Sequence, residues 1–348
     1  MADNTPIEWA DATVNVINGC SLASPGCTNC YAMKQAHRVE IRRGLTRPGK
    51  SGMVWTGEVR FAEDQLLKPL SWKRPRRIFW NAHGDTFHPA VPDEWIDQVV
   101  ATAAATPQHI HMILTKRSDR MRDYFARLPK RIDAWACSPG LDFVDLPLPN
   151  LWLGVSVEDQ TRADERIPDL LATPAAKRFI SAEPLLGPID LTRIMEAGAE
   201  ECFHHVKLEP ISFEGRTCTE GRSSLNALTG HYWGEDLIDG QWEGWVDYHQ
   251  SPGFGEPGHH KPLDWVIVGG ESGPSARPMH PAWARSLRDQ CEAARVAFHF
   301  KQWGEFAPFD GQQRTDHPLA CDGGVMERVG KKAAGRLLDG IEHNGVPA

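Results

Sequence analysis

Asn18-Gly19-Cys20-Ser21-Leu22-Ala23-Ser24-Pro25-Gly26-Cys27-Thr28-Asn29-Cys30-Tyr31-Ala32 joins an apolar run to a helix start. The run ahead of it, Thr13-Val14-Asn15-Val16-Ile17, is rich in β-branched residues and reads as a short strand. Tyr31-Ala32-Met33-Lys34-Gln35-Ala36 reads as the beginning of a helix. Strand, Gly/Pro/Ser-rich loop and helix make the first unit of an α/β fold, with three thiols on the connecting loop. Soft thiolates select zinc, copper(I) or iron–sulfur rather than magnesium or calcium. Three on one loop can hold three corners of a metal centre and leave the fourth open, which suits an iron–sulfur cluster that binds something else. Two other readings stand beside this one. His37, seven residues after Cys30, would complete a closed Cys3His zinc site, and the three cysteines could be ordinary buried thiols.

The alternation continues outward. Candidate strands fall at 13–18, 57–61, 77–81, 109–115, 151–157, 178–182, 265–269 and 297–301, and helical periodicity at Asp93–Ala105, Asp159–Leu171 and Pro281–Ala294. Parallel neighbours need a crossover, and eight such units close economically into a (β/α) barrel of the TIM type. An open doubly wound sheet is the alternative. In a barrel, function gathers at the carboxyl ends of the strands, and those ends are chemically loaded here. They carry the cysteines, then Asp85 and His88, Lys116, Ser156 and Glu158, Glu183, Glu271 and Lys301. Polar strand ends also cap the following helices. Residues 188–262 break the rhythm and read as an insertion between strands six and seven, either a lid or a small subdomain. The expected organisation is 1–187 for the first part of the barrel with the cysteine loop, 188–262 for the insertion, and 263–340 for the last barrel units and C-terminal segment. Cys202, His204, His205 and Cys218 inside the insertion fit no metal-ligand spacing.

The chain has 348 residues, 41% of them hydrophobic, enough for a large core. No apolar run reaches the length of a membrane span, and the first residues, Met1-Ala2-Asp3-Asn4-Thr5-Pro6, do not resemble a signal peptide. Cys137, Cys202, Cys218, Cys291 and Cys321 follow no disulfide framework, so a cytoplasmic protein without membrane partners is expected. Net charge is −8, but residues 1–135 hold 19 Lys/Arg against 14 Asp/Glu and the remainder 19 against 32. Basic groups such as Arg74, Arg76 and Arg77, and Lys116, Arg117 and Arg120, would suit phosphates if they formed one surface; solvated faces are the plainer reading.

A three-cysteine loop after the first strand of a (β/α) barrel resembles the radical S-adenosylmethionine superfamily. The chain further resembles the phage Gp37/Gp68-like family within it. The resemblance is carried by Asn18–Ala32, Asp85-Thr86-Phe87-His88, Gly154–Glu158, Ser181–Gly187, Val266–Gly273, Lys301-Gln302-Trp303-Gly304 and Gly330–Arg336. Six residues separate Cys20 from Cys27 where the superfamily has three, and Asn29 stands where an aromatic residue is usual, with Tyr31 just beyond. The resemblance implies a 4Fe–4S cluster on Cys20, Cys27 and Cys30, S-adenosylmethionine on the open iron, and an external electron donor. It also implies reductive cleavage to a 5′-deoxyadenosyl radical that abstracts hydrogen from substrate. Tyr31, Glu63, Ser156, Glu158 and Glu271 would then serve the cofactor, while Asp85, His88, Lys116 and Glu183 would face substrate. The basic N-terminal half favours a nucleic acid or nucleotide substrate. A peptide or small metabolite, and a metal-stabilised nucleic-acid-binding module without catalysis, are the alternatives.

Overall fold

The computed structural model describes residues 5, 7–50, 52–135, 145–195, 211–213, 216–238, 241–246, 261–309, 319–321 and 324–348. Its frame is a seven-stranded sheet whose spatial order equals its sequence order. The strands are β1 (Ala12–Val14), β2 (Arg77–Trp80), β3 (Ile110–Thr115), β4 (Leu151–Ser156), β5 (Lys177–Ala182), β6 (Trp265–Gly269) and β7 (Ala297–Gln302). All six pairings are parallel. Sequential order excludes the doubly wound alternative, in which the order must reverse at a switch point.

The sheet is a curled half-barrel rather than a closed eight-stranded barrel. The expected second strand, 57–61, contributes only Arg60–Phe61, and this pair runs antiparallel to Ile17–Asn18. It therefore cannot enter the parallel sheet, and β1 lies directly against β2, Thr13 opposite Phe79. The expected strand 13–18 is correspondingly split in two, with Ile17–Asn18 turned into the small ladder.

Alternation sorts the strand residues between two cores. Ile78, Trp80, Ile113, Leu153, Val155, Ile180, Val266 and Val268 belong to the larger core, with the helices. Those helices include α2 (Asp93–Ala104), α4 (Gln160–Ala172) and α5 (Pro281–Ala294), which bury stripes such as Ile96/Val99/Val100/Ala103. Asp159 caps α4 by accepting the Arg162 amide at 2.9 Å. Between β3 and β4 lies α3 (Ser118–Trp135), an 18-residue helix. The opposite, concave face holds Phe79, Met112, Trp152, Phe179, Trp265 and Ile267, covered by Trp9 and Ala10. Trp9 packs edge-on against Phe79, ring centres 4.7 Å apart. Gly154 makes room here, since a Cβ would come within 2.5 Å of the Phe179 ring. The outer edge of β7 takes the C-terminal residues, with the Phe300 amide donating to His343 and the Gly345 amide to Phe298.

The insertion lies between β5 and β6 and contains a four-stranded antiparallel sheet. Its central hairpin pairs Arg216–Asn226 with His231–Ile238. The hairpin tip is buried: Leu225, Ala227 and Leu228 join the main core. Backbone hydrogen bonds run from Ala227 to Leu191 and from Leu263 to Ala227, and Ile194 bridges Leu225. Residues 202, 204 and 205 and the side chain of residue 218 lie outside the described residues. No helix among the described residues is long and apolar enough to cross a membrane.

Candidate functional site

The cysteine loop lies over the carboxyl ends of the strands and is tied down at three places. At β2 and β3, Arg117 donates to Asp85 Oδ2 at 2.8 Å and to the Ser21 carbonyl at 3.0 Å and hydroxyl at 2.9 Å. Asp85 also accepts from Thr115 Oγ1 at 2.7 Å and from the amides of Phe87 and Lys116. At β4, the Gly26 amide donates to Glu158 Oε1 at 3.1 Å. At β6, Asn29 donates to Glu271 Oε2 at 3.0 Å and to the Ser275 carbonyl at 2.7 Å. Arg277 bridges Glu271 and the Pro25 carbonyl. Four strand ends thus fix the two ends and the middle of one loop.

Cys20, Cys27 and Cys30 are free and half-buried. Cys30 occupies the position just before α1 (Tyr31–Gln35). Crowding by protein, then Asp85, pushes the Cys20 thiol up to about 12, against the opposing pull of Arg117; Cys27 and Cys30 add to the rise. Burial likewise raises Cys30, which feels Cys27 and, in the opposite sense, Lys116. The three sulfurs therefore share one electrostatic environment, with two cations beside it. No group of three His, Cys, Asp or Glu among the described residues is arranged around a single metal ion. His37, the candidate fourth ligand of a zinc site, is exposed.

Several expected site residues work as anchors. Asp85 is 5% exposed and its carboxylate accepts from four donors, Arg117 among them. His88 accepts the Ala90 amide at Nδ1, which makes Nε2 the donor to Ser21 Oγ at 2.9 Å. Burial and then Arg117 lower its pKa and keep it neutral. Glu158 is fully buried between Arg166 at 3.1 Å and Lys116 at 4.0 Å. Those cations win over burial and hold its pKa down. Glu271 is held down in the same way by Arg277 and Asn29, against burial.

Tyr31 is 50% exposed and donates to the Ala82 carbonyl at 2.8 Å, with its ring edge-on to His83. Glu183 pairs with Lys301 at 2.9 Å; Gly269 is open enough for this carboxylate, which a Cβ there would touch at 2.5 Å. Ser156 is buried at the end of β4, its carbonyl accepting from Arg166 at 2.7 Å. Glu63 stands apart: it is exposed at the start of the short helix Glu63–Leu66, and no hydrogen bond or ion pair among the described residues joins it to the loop.

The sequence reading overlooked Arg117, Arg166, Arg277 and Asn29 as organisers of the loop. Arg166 carried a usable signal. It falls on the stripe of Ala163, Ile167 and Leu170, all buried, and a charge on an apolar stripe calls for a buried partner.

The expected basic surface is not continuous. Arg76 and Arg77 lie at the amino end of β2, where Arg77 pairs with Asp11 and Arg76 stacks on Trp72. Lys116, Arg117 and Arg120 follow the carboxyl end of β3 and hold Glu158, Asp85 and Asp93.

Fold and site define an α/β half-barrel protein with a thiol loop seated on its strand ends. A family model described as a protein of unknown function, DUF5131, matches residues 4–347, and the chain belongs to that family. No curated protein and no solved structure matches it.

Proposed function

We propose that this protein is a radical S-adenosylmethionine enzyme with one 4Fe–4S cluster on Cys20, Cys27 and Cys30, acting on a nucleotide or nucleic acid. The observation that supports it best is the seating of three neighbouring thiols on one loop above the carboxyl ends of a parallel half-barrel. A cluster, whose ligands bind separate irons, can take three thiols from one loop and keep one iron open, whereas a structural zinc site is closed by four ligands. When bound, the cluster supplies the single electron that breaks a carbon–sulfur bond of S-adenosylmethionine.

The chain's own groups provide position and charge. Lys116 and Arg117 offset the negative charge of the thiolates. Asp85 fixes Arg117, and Glu158 and Glu271 fix the loop against the sheet. In this reading Tyr31, Ser156 and the Glu183–Lys301 pair hydrogen-bond the cofactor or substrate. A peptide or small metabolite is the second substrate class, favoured by the separation of Arg76 and Arg77 from the loop. The deciding experiment is anaerobic purification with iron and sulfide analysis, followed by assay for 5′-deoxyadenosine after reduction. Four irons and four sulfides per chain with reductant-dependent 5′-deoxyadenosine are expected. Stoichiometric zinc without iron would overturn the reading.

A further inference from the structure

Positive charge is concentrated immediately after the cysteine loop. Residues 31–60 contain seven Lys/Arg and two Asp/Glu, in a chain of net charge −8. Lys34, Arg38, Arg43, Arg47 and Lys50 are exposed, and none makes an ion pair among the described residues. Elsewhere Arg117, Arg122, Arg131, Arg166, Arg277 and Arg285 each hold a carboxylate, while exposed cations without an ion pair among the described residues, such as Lys73, Arg74, Lys331 and Lys332, come in ones and twos rather than five within seventeen positions. Uncompensated cations on one segment repel each other and gain nothing for the fold, so they call for a partner outside it.

What lies beneath them is equally specific. α1 and the hairpin of Thr46–Gly49 with Gly52–Trp55 enclose a small core of Ala32, Met33, Ala36, Leu45 and Trp55. Cys20 and Cys30 pack against this same core. The cations are borne on α1, the turns after it and the hairpin, so a single layer of side chains separates this surface from the thiols. Val39, 39% exposed, gives it an apolar contact point.

We propose that Lys34, Arg38, Arg43, Arg47 and Lys50, with Val39, form the docking surface for an acidic protein that carries electrons. The inference rests on the cluster reading above. Docking here sets the carrier's redox centre across that small core from Cys20 and Cys30. The reduced carrier is oxidised by one electron and the cluster reduced by one, with no bond formed or broken. A nucleic acid fits the surface less well. Single-strand binding stacks successive bases on several exposed aromatic rings beside the cations, whereas residues 31–60 hold two, of which Trp55 is buried and Tyr31 alone is exposed. Electrostatic pairing of this kind accelerates association and weakens as salt rises.

The test uses the full-length protein and a reduced or oxidised flavodoxin, a small acidic flavoprotein, as probe. Calorimetry should show binding that weakens at least tenfold on raising salt from about 50 to about 300 mM, consistent with screening. The Arg38→Glu, Arg43→Glu, Arg47→Glu variant should lose at least tenfold in flavodoxin affinity. Its KM for flavodoxin should rise by a similar factor, while 5′-deoxyadenosine formation driven by dithionite stays at the wild-type rate. An unchanged flavodoxin affinity in a folded variant overturns the docking surface. So does salt-sensitive binding of single-stranded DNA that the variant loses while flavodoxin affinity is kept. A wild-type protein that binds no iron and yields nothing with dithionite overturns the enzyme reading itself, which the dithionite arm separates from a failure of docking alone.

Discussion

The Gly26 amide points at the Glu158 carboxylate, 3.1 Å from Oε1, so the centre of the cysteine loop rests on the residue just past β4. The fit is close: a Cβ on Gly26 would lie 3.1 Å from that carboxylate. Oε2 of the same carboxylate takes Arg166, 1% exposed, at 3.1 Å. The loop is therefore seated on a buried ion pair.

Glu158→Gln keeps the shape of this seat but leaves the Arg166 charge without its buried carboxylate. Removing one partner of a buried pair costs about 3–5 kcal/mol, and replacing both by apolar groups can be close to neutral. Urea unfolding should show a loss of about 3 kcal/mol for Glu158→Gln, much of it recovered in Glu158→Leu/Arg166→Met. Wild-type stability in the single variant would refute the seat.

The three loop thiols should be required together. Cys20→Ala, Cys27→Ala and Cys30→Ala should each lose iron after anaerobic reconstitution. Cys291 is buried in α5 and pushed up to about 12 by burial alone. Cys291→Ala should retain full iron content, read by colorimetric iron analysis and electron paramagnetic resonance. Iron retained by all three loop variants would count against the assignment.

Acid should destabilise the fold through His111. Burial, then His109, lowers its pKa from 6.5 to about 3. Trp80 Nε1 donates to His111 Nδ1 at 2.9 Å, so the ring is neutral and Nε2 faces Thr106 at 2.9 Å. The unfolded chain binds the proton more readily, so this stability is complete above about pH 6.5 and is lost as pH falls toward 3. His83 and His299, lowered to about 4 mainly by burial, act in the same direction. His111→Gln keeps a donor and an acceptor without titrating. Its urea midpoint should fall less than wild type between pH 7 and pH 5. An equal fall would exclude His111 as a contributor.

Arg76→Glu/Arg77→Glu tests the substrate class. These side chains sit at the end of β2 away from the loop, so the change should leave iron content and S-adenosylmethionine cleavage unaltered. If a long nucleic acid lay across both basic groups, its affinity would drop in the variant, and the slope of affinity against salt would shrink. We expect neither change. Filter binding over a salt series provides the measurement.

The strand-end direction of the polar residues was legible because alternating strands and helices leave one consistent end for them. Lys177–Ala182, Trp265–Gly269 and Asp93–Ala104 fall within about two residues of where periodicity puts them, the ordinary uncertainty of such boundaries. The segment 57–61 misled because a short apolar–polar alternation has the same period in parallel and antiparallel ladders. Only its partner, Ile17–Asn18, sets the direction. Helix α3 was hidden by its charge, since its arginines read as a basic patch. In the structure Arg122 pairs with Asp169 and Arg131 with Asp97 and Asp93. The cysteines were evident as a set, but their anchors were not. Asn29–Glu271 and Arg277–Pro25 join residues more than two hundred positions apart, a relation that no local spacing encodes.

The buried hairpin tip at Leu225–Leu228 changes what the insertion can do. A flap swinging on its two stems would have to pull Leu225, Ala227 and Leu228 out of the core, exposing apolar surface at a cost of about 1.5–3 kcal/mol for each large side chain. The insertion is thus a bracket clamped at its tip as well as its roots. With its tip held in this way, the hairpin is built into the scaffold and is not a door.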